Sequence, residues 1–347
     1  MAKYRVLIVE DSAFMRKYIS NILSTDDELD VIATARNGQE GVQLAAELKP
    51  DVITMDIEMP IMDGLTALEN IMKTNPTPVV MLSSLTTDGA EATLKALEQG
   101  AVDFIAKPSG AISLDLSKVK DEMVDKVKNA AQARVQQVKA SPIRTLPKLV
   151  TTPTITEVKA LKKLVVIGTS TGGPKALQDI IPLIPRSIPA GILIVQHMPK
   201  GFTKSLADRL DSMSQITVRE AVDGDEVQPG VALVAPGDFH MLLNKGSGKY
   251  TVKLNQEPPV GGHRPAVDVM MKSTLGSGLE LVGVILTGMG GDGAEAMAQI
   301  KAAGGKTIAQ DKDTCVVFGM PKVAIEKNCI DKVVPVQNVA LEIMKML

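Results

Sequence analysis

The chain is poor in aromatic residues and in net charge. Its 347 residues contain no Trp, aromatic residues make up 2 %, and the formal net charge is −2. Nucleic-acid binding usually needs a basic surface or aromatic side chains on which bases stack, so the composition argues against a nucleic-acid partner. Hydrophobic residues make up 45 % of the chain, which is enough for a sizeable core and argues against extensive disorder.

Cysteine is also scarce. Cys315 and Cys329 are the two cysteines, and neither lies in a CxxC or zinc-ligand pattern. Two cysteines do not make a disulfide framework, so we expect a reducing compartment. The N-terminal stretch MAKYRVLIVED turns acidic too early for a secretory signal, and no run of 18 apolar residues could span a bilayer. These absences predict a cytoplasmic protein without direct membrane insertion.

The first part of the chain, 1–138, alternates between short apolar runs and helical patterns. Strands are predicted at 5–9, 31–35, 52–55, 78–82 and 103–105. Helices are predicted near 13–24, 38–48, 64–74, 88–99 and 114–138. Alternating strands and helices predict a parallel, doubly wound α/β sheet, and five βα units of this size match a flavodoxin-like domain.

The second part, 163–347, resumes this alternation after a different stretch. Residues 139–162 hold three prolines and no clean period, which indicates a linker. Further strands are predicted at 164–168, 191–196, 231–235, 250–255, 280–287, 305–310 and 330–335. Helices are predicted near 174–182, 201–212, 266–275, 294–303, 320–327 and 337–346. The pattern predicts a second doubly wound α/β domain with a largely parallel sheet.

Acidic residues follow two strands of the first domain. Glu10 and Asp11 follow the first strand, and Asp56 follows the third. Three carboxylates in one pocket repel one another unless a cation neutralises them, and their hard oxygen ligands suit Mg²⁺. Ser83 ends the fourth strand and Lys107 follows the fifth. A hydroxyl and an ammonium at this edge could contact phosphoryl oxygens.

The stretches VLIVEDS, MDIEMPIMDG and FIAKP stand in this order within about the first 125 residues. This part of the chain resembles the receiver domain of bacterial two-component response regulators. The resemblance implies that Asp56 accepts a phosphoryl group from a histidine kinase and that Phe104 is a switching aromatic residue. It also implies Mg²⁺ ligands and phosphoryl contacts, namely Glu10, Asp11 and Asp56 for the metal and Ser83 and Lys107 for the phosphoryl group.

Three strands of the second domain end at residues that suit acyl transfer. Ser170 lies in Gly168-Thr169-Ser170-Thr171-Gly172, which fits the nucleophile-elbow pattern G-x-S-x-G, although similar turns often bind phosphate. His197 and Asp292 each follow a probable buried strand. Because the carboxyl ends of parallel strands meet at one edge, a serine, a histidine and an aspartate could form a triad there.

The sequence alone leaves two other arrangements of functional residues open. An α/β-hydrolase has the chain order serine, acid, histidine, and would need His240 or His263 as base, with the acid among Asp223, Asp225 and Asp238. The order of Ser170, His197 and Asp292 argues against that fold but not against triad chemistry, which occurs in several chain orders.

The segment Gly288–Gly293 also fits G-x-G-x-x-G between a strand and a helix, and Asp311 closes the next strand. This pattern is typical of a dinucleotide-binding oxidoreductase. Asp292 would then place a carboxylate in the turn that receives a pyrophosphate, which is electrostatically unfavourable. A third alternative is a response regulator whose second half only binds a partner.

The stretches VVIGTSTGGPKAL, ILIVQHMP, APGDFHMLL, HRPAVDVMM and VGVILTGMGGDGAEAM lie within about 163–346. This part resembles the catalytic domain of the chemotaxis protein-glutamate methylesterase (CheB) family. The resemblance implies that Ser170 is the nucleophile, His197 the general base and Asp292 its orienting acid. It further implies that Met289 supplies an oxyanion N–H and that Thr171 and His263 support the site.

The resemblance implies hydrolysis of glutamate γ-methyl esters, and deamidation of glutamine, on the cytoplasmic helices of methylated chemoreceptors. Ester hydrolysis would need no cofactor, whereas phosphorylation of the receiver would need Mg²⁺. Because a switch domain precedes the hydrolase, we expect phosphorylation to activate it by uncovering the active site.

Overall fold

The structure is a computed structural model that describes residues 3–107, 116–133, 161–246 and 248–347. The chain divides into two compact units, Met1–Ser141 and Pro142–Leu347. The predicted linker 139–162 lies outside the described residues except for its last two positions. The proposed boundaries at 138 and 163 therefore stay predictions.

The first unit is a five-stranded parallel sheet in the order β2-β1-β3-β4-β5. Its strands are β1 Tyr4–Val9, β2 Leu29–Ala35, β3 Val52–Asp56, β4 Val79–Ser83 and β5 Asp103–Ala106. Its helices are α1 Ala13–Leu23, α2 Gly38–Leu48, α3 Gly64–Thr74, α4 Thr87–Glu98 and α5 Leu116–Ala131. This order has its switch point between β1 and β3, which brings the ends of those strands together.

The first four helices begin at a side chain that accepts a hydrogen bond from a backbone N–H of the first helical turn. These caps are Ser12, Asn37, Asp63 and Thr86. A polar cap satisfies an N–H that would otherwise lack a partner in the helix, so each helix starts at a defined residue after its strand. Short loops then hold the strand ends at one edge of the sheet.

The second unit contains a seven-stranded sheet in which every adjacent pair is parallel. Its strands, in chain order with the hairpin strands β10 and β11, are β6 Lys163–Thr169, β7 Ala190–Gln196, β8 Thr217–Glu220, β9 Val231–Val234, β10 His240–Lys245, β11 Tyr250–Asn255, β12 Glu280–Ile285, β13 Lys306–Gln310 and β14 Lys332–Val334. The sheet order is β14-β13-β12-β6-β7-β9-β8, and β10 pairs with β11 in an antiparallel hairpin.

Helices flank the sheet of the second unit. They are α6 Gly173–Ile180, α7 Phe202–Met213, α8 Val267–Ser273, α9 Ala294–Ala302, α10 Met320–Glu326 and α11 Val336–Met346, with a 3₁₀ turn at Ile181–Leu183. The two doubly wound α/β units confirm the fold class predicted from the alternation. Within the described residues, no helix combines the length and the apolar character needed to cross a bilayer.

The sequence prediction missed β8. β8, Thr217–Glu220, is a four-residue strand at the edge of the sheet, and only Val218 of its residues is buried. A short edge strand needs few apolar residues and carries little hydrophobic signal. By contrast, β6 and β7 lie in the middle of the sheet, where both faces are covered, and read as continuous apolar runs.

Candidate active site and phosphorylation site

Ser170 lies in the turn between β6 and α6. Its N–H donates to the carbonyl of Thr287 at 3.1 Å. Its own carbonyl accepts from Gly173 N at 2.8 Å and from Gln196 Nε2 at 2.9 Å. Backbone bonds on both sides therefore hold the serine at the end of the central strand.

Close packing and backbone conformation explain the glycines of this turn. A Cβ on Gly168 would lie 2.3 Å from Val267 Cγ1, and a Cβ on Gly173 would lie 2.1 Å from Gln196 Oε1. Gly172 has φ +77°, a conformation that side chains with a Cβ rarely adopt. The G-x-S-x-G-G pattern is thus required by the fold of the turn itself.

His197 and Asp292 form a direct pair. Nε2 of His197 lies 2.8 Å from Oδ2 of Asp292, and both side chains are largely buried. Asp292 also accepts the backbone N–H of Val267 at 2.7 Å and of Asp268 at 2.9 Å, which are the first two residues of α8. Burial opposes ionisation of Asp292, but His197 and the two amides outweigh it, so its pKa lies below its usual value.

The sheet register brings the three predicted residues to one edge. Thr169 pairs with Gln196 across β6 and β7, so Ser170 and His197 are the next residues on adjacent strands. β12 pairs with the other side of β6 and leads to the turn that carries Asp292. Nδ1 of His197 is buried without a hydrogen-bond partner among the described residues, so the structure joins His197 to Asp292 but not to the Ser170 hydroxyl.

His263 lies directly against His197. The two imidazole rings are stacked with centroids 3.9 Å apart and planes 11° apart. His263 closes a tight turn with Val260, in which each residue's N–H donates to the other's carbonyl. The following Arg264 pairs with Asp238, which fixes the base of this turn.

Met289 and Thr171 lie in the turns that follow β12 and β6. The two turns are in contact, since a Cβ on Gly288 would lie 2.8 Å from Ser170 Cβ. The carbonyl of Thr171 accepts from Thr287 Oγ1 at 3.0 Å. The main chain of Thr171, and that of Gly288 next to Met289, therefore lies beside the serine.

In the first unit, one ammonium lies among three carboxylates. Lys107 Nζ lies 2.7 Å from Asp56 Oδ2 and 3.0 Å from Glu10 Oε2. One carboxylate oxygen each of Glu10, Asp11 and Asp56 fall within 4.8 Å of one another. Burial raises the pKa of Asp56, and burial together with the charge of Asp56 raises the pKa of Glu10.

This donor set fits Mg²⁺. The three groups offer hard carboxylate oxygens, and the raised pKa values of Glu10 and Asp56 show that Lys107 alone does not offset their burial and mutual repulsion. Burial disfavours the charged form of Lys107, yet the two carboxylates raise its pKa above the usual value. A divalent cation would supply the missing positive charge.

Ser83 lines the same cavity as Asp56 and Lys107. Its hydroxyl is nevertheless turned toward α4, where it donates to the carbonyl of Gly89 at 3.1 Å and accepts from Thr93 Oγ1 at 2.7 Å. Contact between Ser83 and a phosphoryl group would thus require its hydroxyl to change partners. This contact stays a prediction.

Phe104, predicted as a switching aromatic residue, is buried. Lys126 Nζ lies 5.1 Å from its ring centroid and donates to its carbonyl at 2.7 Å. The side chain is therefore held on the α5 side of β5. Its role as a switch stays a prediction.

Family models match both units. The model of the CheB methylesterase matches residues 165–343, and the model of the response regulator receiver domain matches residues 6–116. The chain belongs to the CheB methylesterase family. Both resemblances inferred from the sequence are confirmed, and the enzyme is a hydrolase that carries a receiver domain.

Relatives match along nearly the whole length of the chain. A protein of Symbiobacterium thermophilum named protein-glutamate methylesterase/protein-glutamine glutaminase is 52 % identical over 346 residues, covering 97 % of this chain and 95 % of that protein. One of Geobacillus kaustophilus with the same name is 48 % identical and covers 100 % of this chain and 99 % of that protein. The crystal structure of the Thermotoga maritima CheB methylesterase catalytic domain has a TM-score of 0.52 and 49 % identity, covering 54 % of this chain and 99 % of that chain.

The observed geometry does not favour an α/β-hydrolase arrangement with His240 as base. Nδ1 of His240 accepts from Ala266 N at 3.2 Å, and Nε2 lies 3.2 Å from the carbonyl of Pro258, so both ring nitrogens serve the backbone. Among the candidate acids, Asp225 pairs with Arg219. The other two candidate acids have partners of their own. Asp223 accepts a hydrogen bond from Leu254 N, and Asp238 pairs with Arg264.

The dinucleotide interpretation of Gly288–Gly293 is not favoured either. Asp268 Oδ1 accepts from Ala296 N at 2.9 Å in the first turn of α9, where a pyrophosphate would bind. Asp292 adds a second carboxylate to the same turn. Asp311 accepts from the backbone and hydroxyl of Thr314, which is a local turn contact.

Sequence analysis missed Asp268 and Thr287. Asp268 lies in the first turn of α8, and its carboxylate caps α9, while Asp292 of the α9 turn caps α8. An acidic residue at the start of a predicted helix could have indicated Asp268. Thr287 stands within the recognised stretch VGVILTGMGG, but a buried hydroxyl there has no distinctive spacing.

Both thiols of the chain are buried. Burial, with the nearby charge of Asp311, raises the pKa of Cys315 to about 12. Burial also raises the pKa of Cys329. Neither cysteine is ionised to a useful extent at neutral pH.

Proposed function

We propose that this CheB methylesterase hydrolyses glutamate γ-methyl esters and deamidates glutamine side chains on the cytoplasmic helices of chemoreceptors, in chemotactic adaptation. The names of its full-length relatives, protein-glutamate methylesterase/protein-glutamine glutaminase, support the substrate. The observation that carries the mechanism is the 2.8 Å contact between His197 Nε2 and Asp292 Oδ2 beside the Ser170 turn.

In this proposal Ser170 Oγ attacks the ester carbonyl while His197 takes its proton. Because Nε2 is engaged by Asp292, Nδ1 is the nitrogen that receives it. Asp292 orients the ring and stabilises the imidazolium. The tetrahedral intermediate collapses, and methanol leaves with the proton from His197. A water molecule, deprotonated by His197, then releases glutamate from the acyl-enzyme.

The oxyanion of the tetrahedral intermediate would be stabilised by backbone N–H groups next to the serine. Met289 is our assigned donor, and Thr171 and His263 support the site from either side. Glutamine deamidation follows the same course, except that the amide nitrogen takes the proton from His197 and leaves as ammonia. The chain's own side chains thus carry every proton transfer.

The receiver domain would act as the switch. We assign Asp56 as the residue that accepts a phosphoryl group from a histidine kinase, with Glu10, Asp11 and Asp56 holding Mg²⁺. Bound Mg²⁺ would neutralise charge on the phosphoryl oxygens. Lys107, which now pairs with Asp56 and Glu10, would contact those oxygens, and Ser83 would join it after releasing Gly89.

Methanol release from methylated receptor fragments tests the proposal. We expect the intact protein to release methanol, faster with a phosphodonor and Mg²⁺. Ser170→Ala should lower kcat by about 10⁶-fold, while the exposed-site control Ser212→Ala should match the parent. Methanol release by Ser170→Ala at the parent's rate would refute the assigned nucleophile, and no release by the parent would refute the activity.

A truncation tests inhibition by the receiver. Residues 161–347 correspond to the part that matches a catalytic domain crystallised as a separate chain. We expect this fragment to hydrolyse methyl esters faster than the unphosphorylated full-length protein. Equal rates would show that the receiver does not inhibit by covering the site.

A further inference from the structure

We propose that Thr287 is a positioning residue whose hydroxyl holds the two turns that flank the oxyanion of the reaction. The inference rests on the acyl transfer proposed above. Thr287 follows β12 and is 1 % exposed. Among the hydrogen bonds of the described residues, none joins Thr287 to His197 or Asp292, so its influence on the reaction would pass through the backbone.

The hydroxyl of Thr287 connects two segments that are distant in sequence. Oγ1 donates to the carbonyl of Thr171 at 3.0 Å, with the carbonyl of Val317 as a second acceptor at 3.2 Å. The same oxygen accepts from Val317 N at 3.0 Å. A single side chain therefore fixes the peptide that follows Ser170 and the loop between β13 and α10.

Hydrogen bonds also fix the backbone of Thr287. Its carbonyl accepts from Ser170 N and from Thr169 Oγ1, each at 3.1 Å. Its N–H donates to Gln310 Oε1 at 2.8 Å. These bonds prevent Thr287 from moving independently of the strands, so the hydroxyl is presented to Thr171 in one position.

The assigned oxyanion donor, Met289, lies two residues further along the same turn. The intervening Gly288 donates to the carbonyl of Val317 at 3.1 Å and accepts from Gly319 N at 3.1 Å. A Cβ on Gly319 would lie 2.6 Å from the carbonyl of Gly288, so the two backbone segments are closely packed here. The turn of Met289 is thus fixed by the loop that the Thr287 hydroxyl also holds.

This arrangement makes the hydroxyl, and not the shape of the side chain, the functional feature. Oxyanion donors must lie about 2.7–3.1 Å from the position of the developing negative charge. Loss of the hydroxyl would remove its hydrogen bonds to Thr171 O and from Val317 N, and both turns would relax in response. The reaction would slow, while binding of the remote parts of the substrate would not change.

Thr287→Val and Thr287→Ser, made in the full-length protein, test whether the hydroxyl or the shape of the Thr287 side chain matters for the reaction. Valine keeps the shape and loses the hydroxyl, whereas serine keeps the hydroxyl and loses the methyl group. With methylated receptor fragments, we expect Thr287→Val to lower kcat by about 10- to 100-fold with KM within about twofold. Thr287→Ser should stay within about threefold of the parent.

Thr307→Val is the matched control. Thr307 is equally buried, at the start of β13, and its hydroxyl likewise joins distant segments by donating to Cys329 O and Asp331 Oδ2 and accepting from Asp331 N. It lies at the opposite end of the strand from the site. We expect a loss of thermal stability comparable to that of Thr287→Val, with kcat close to the parent value.

Three results would overturn the inference. They are a kcat of Thr287→Val within threefold of the parent, an equal fall of kcat in Thr307→Val, and a kcat of Thr287→Ser as low as that of Thr287→Val. If Thr287→Val does not fold, Thr287→Ser decides alone, because a tenfold loss with the hydroxyl present contradicts its assigned role. A parent enzyme that releases no methanol would refute the proposed function instead.

Discussion

Asp56 and Asp292 occupy comparable places in two different units of one chain. Each lies at the carboxyl edge of a parallel sheet, Asp56 as the last residue of β3 and Asp292 in the turn after β12, and each is largely buried. Their ionisation nevertheless shifts in opposite directions. The pKa of Asp56 is raised, chiefly by burial, whereas the pKa of Asp292 is lowered.

The surrounding charges explain the difference. Asp56 shares its pocket with two other carboxylates and one ammonium, so its negative charge is incompletely compensated. Asp292 accepts hydrogen bonds from His197 and from two amides of α8, which together outweigh its burial. A carboxylate whose negative charge is not compensated by nearby positive charge is suited to bind a cation and accept a phosphoryl group. A carboxylate that stays ionised is suited to orient an imidazole.

Removing the Asp56 carboxylate should have the largest effect. Asp56→Asn should abolish phosphorylation completely, because the amide cannot form the acyl phosphate. Intact-protein mass spectrometry after incubation with a small-molecule phosphodonor and Mg²⁺ measures this directly. Asp63→Asn is the control, since asparagine can also cap α3. A phosphorylated Asp56→Asn protein would show that the acceptor lies elsewhere.

The corresponding change in the second unit should reduce catalysis without abolishing it. Asp292→Asn keeps the shape but cannot stabilise the imidazolium, so we expect kcat for methyl-ester hydrolysis to fall by about 10³- to 10⁴-fold. Asp311→Asn, after the neighbouring strand β13, should have little effect, since its carboxylate hydrogen-bonds Thr314 within its own turn. Similar losses in both variants would contradict the role assigned to Asp292.

The effect of pH distinguishes the two carboxylates further. In the proposed site, Mg²⁺ would bind the ionised forms of Glu10 and Asp56, whose pKa values are raised, so protons would compete with the metal at a higher pH than for ordinary carboxylates. As pH falls through this range, we expect the Mg²⁺ affinity, measured by titration calorimetry, to drop by up to about tenfold per pH unit for each proton displaced. Glu10→Gln should make this dependence shallower, and an unchanged slope would count against competition at Glu10.

For Asp292 the sign is reversed. A carboxyl whose pKa is lower in the folded state contributes stability above the unfolded pKa, and this contribution is lost as pH falls through the folded value. The difference in unfolding free energy between the parent and Asp292→Asn should therefore shrink on acidification below the ordinary aspartate range. Urea denaturation at several pH values would show it, and a difference that grows on acidification would be inconsistent with the lowered pKa.

The smallest predicted effect concerns Asp268, which caps α9 but does not touch His197. Asp268→Ala should cost about 1 kcal/mol of unfolding free energy and lower kcat by less than about tenfold, because the amide of residue 268 can still donate to Asp292. Asp268→Asn retains an acceptor for Ala296 N and should recover most of the stability. A fall in kcat as large as that of Asp292→Asn would contradict the view that Asp268 only helps to hold Asp292.

The sequence predicts well which residues lie at the strand ends, but it predicts poorly the hydrogen-bond partners of those residues. Runs such as β6 and β7 are recognisable because both sheet faces are buried, and the residues after them, Ser170 and His197, could be placed at one edge from topology alone. Nothing local indicates that Asp292 caps α8, since that contact joins residues 25 positions apart. Ser83 shows the same limit, because its hydroxyl bonds to Gly89 and Thr93 of α4 could not be read from the sequence.

The protonated, enclosed state of Cys315 and Cys329 has a practical consequence. Electrophiles that modify proteins usually react first with thiolates, and this chain offers none that solvent can reach at neutral pH. A mechanism-based probe such as a fluorophosphonate should therefore label the intact enzyme at oxygen with little background from sulfur. The number of labels per molecule would then count the reactive hydroxyls without any need to replace the cysteines.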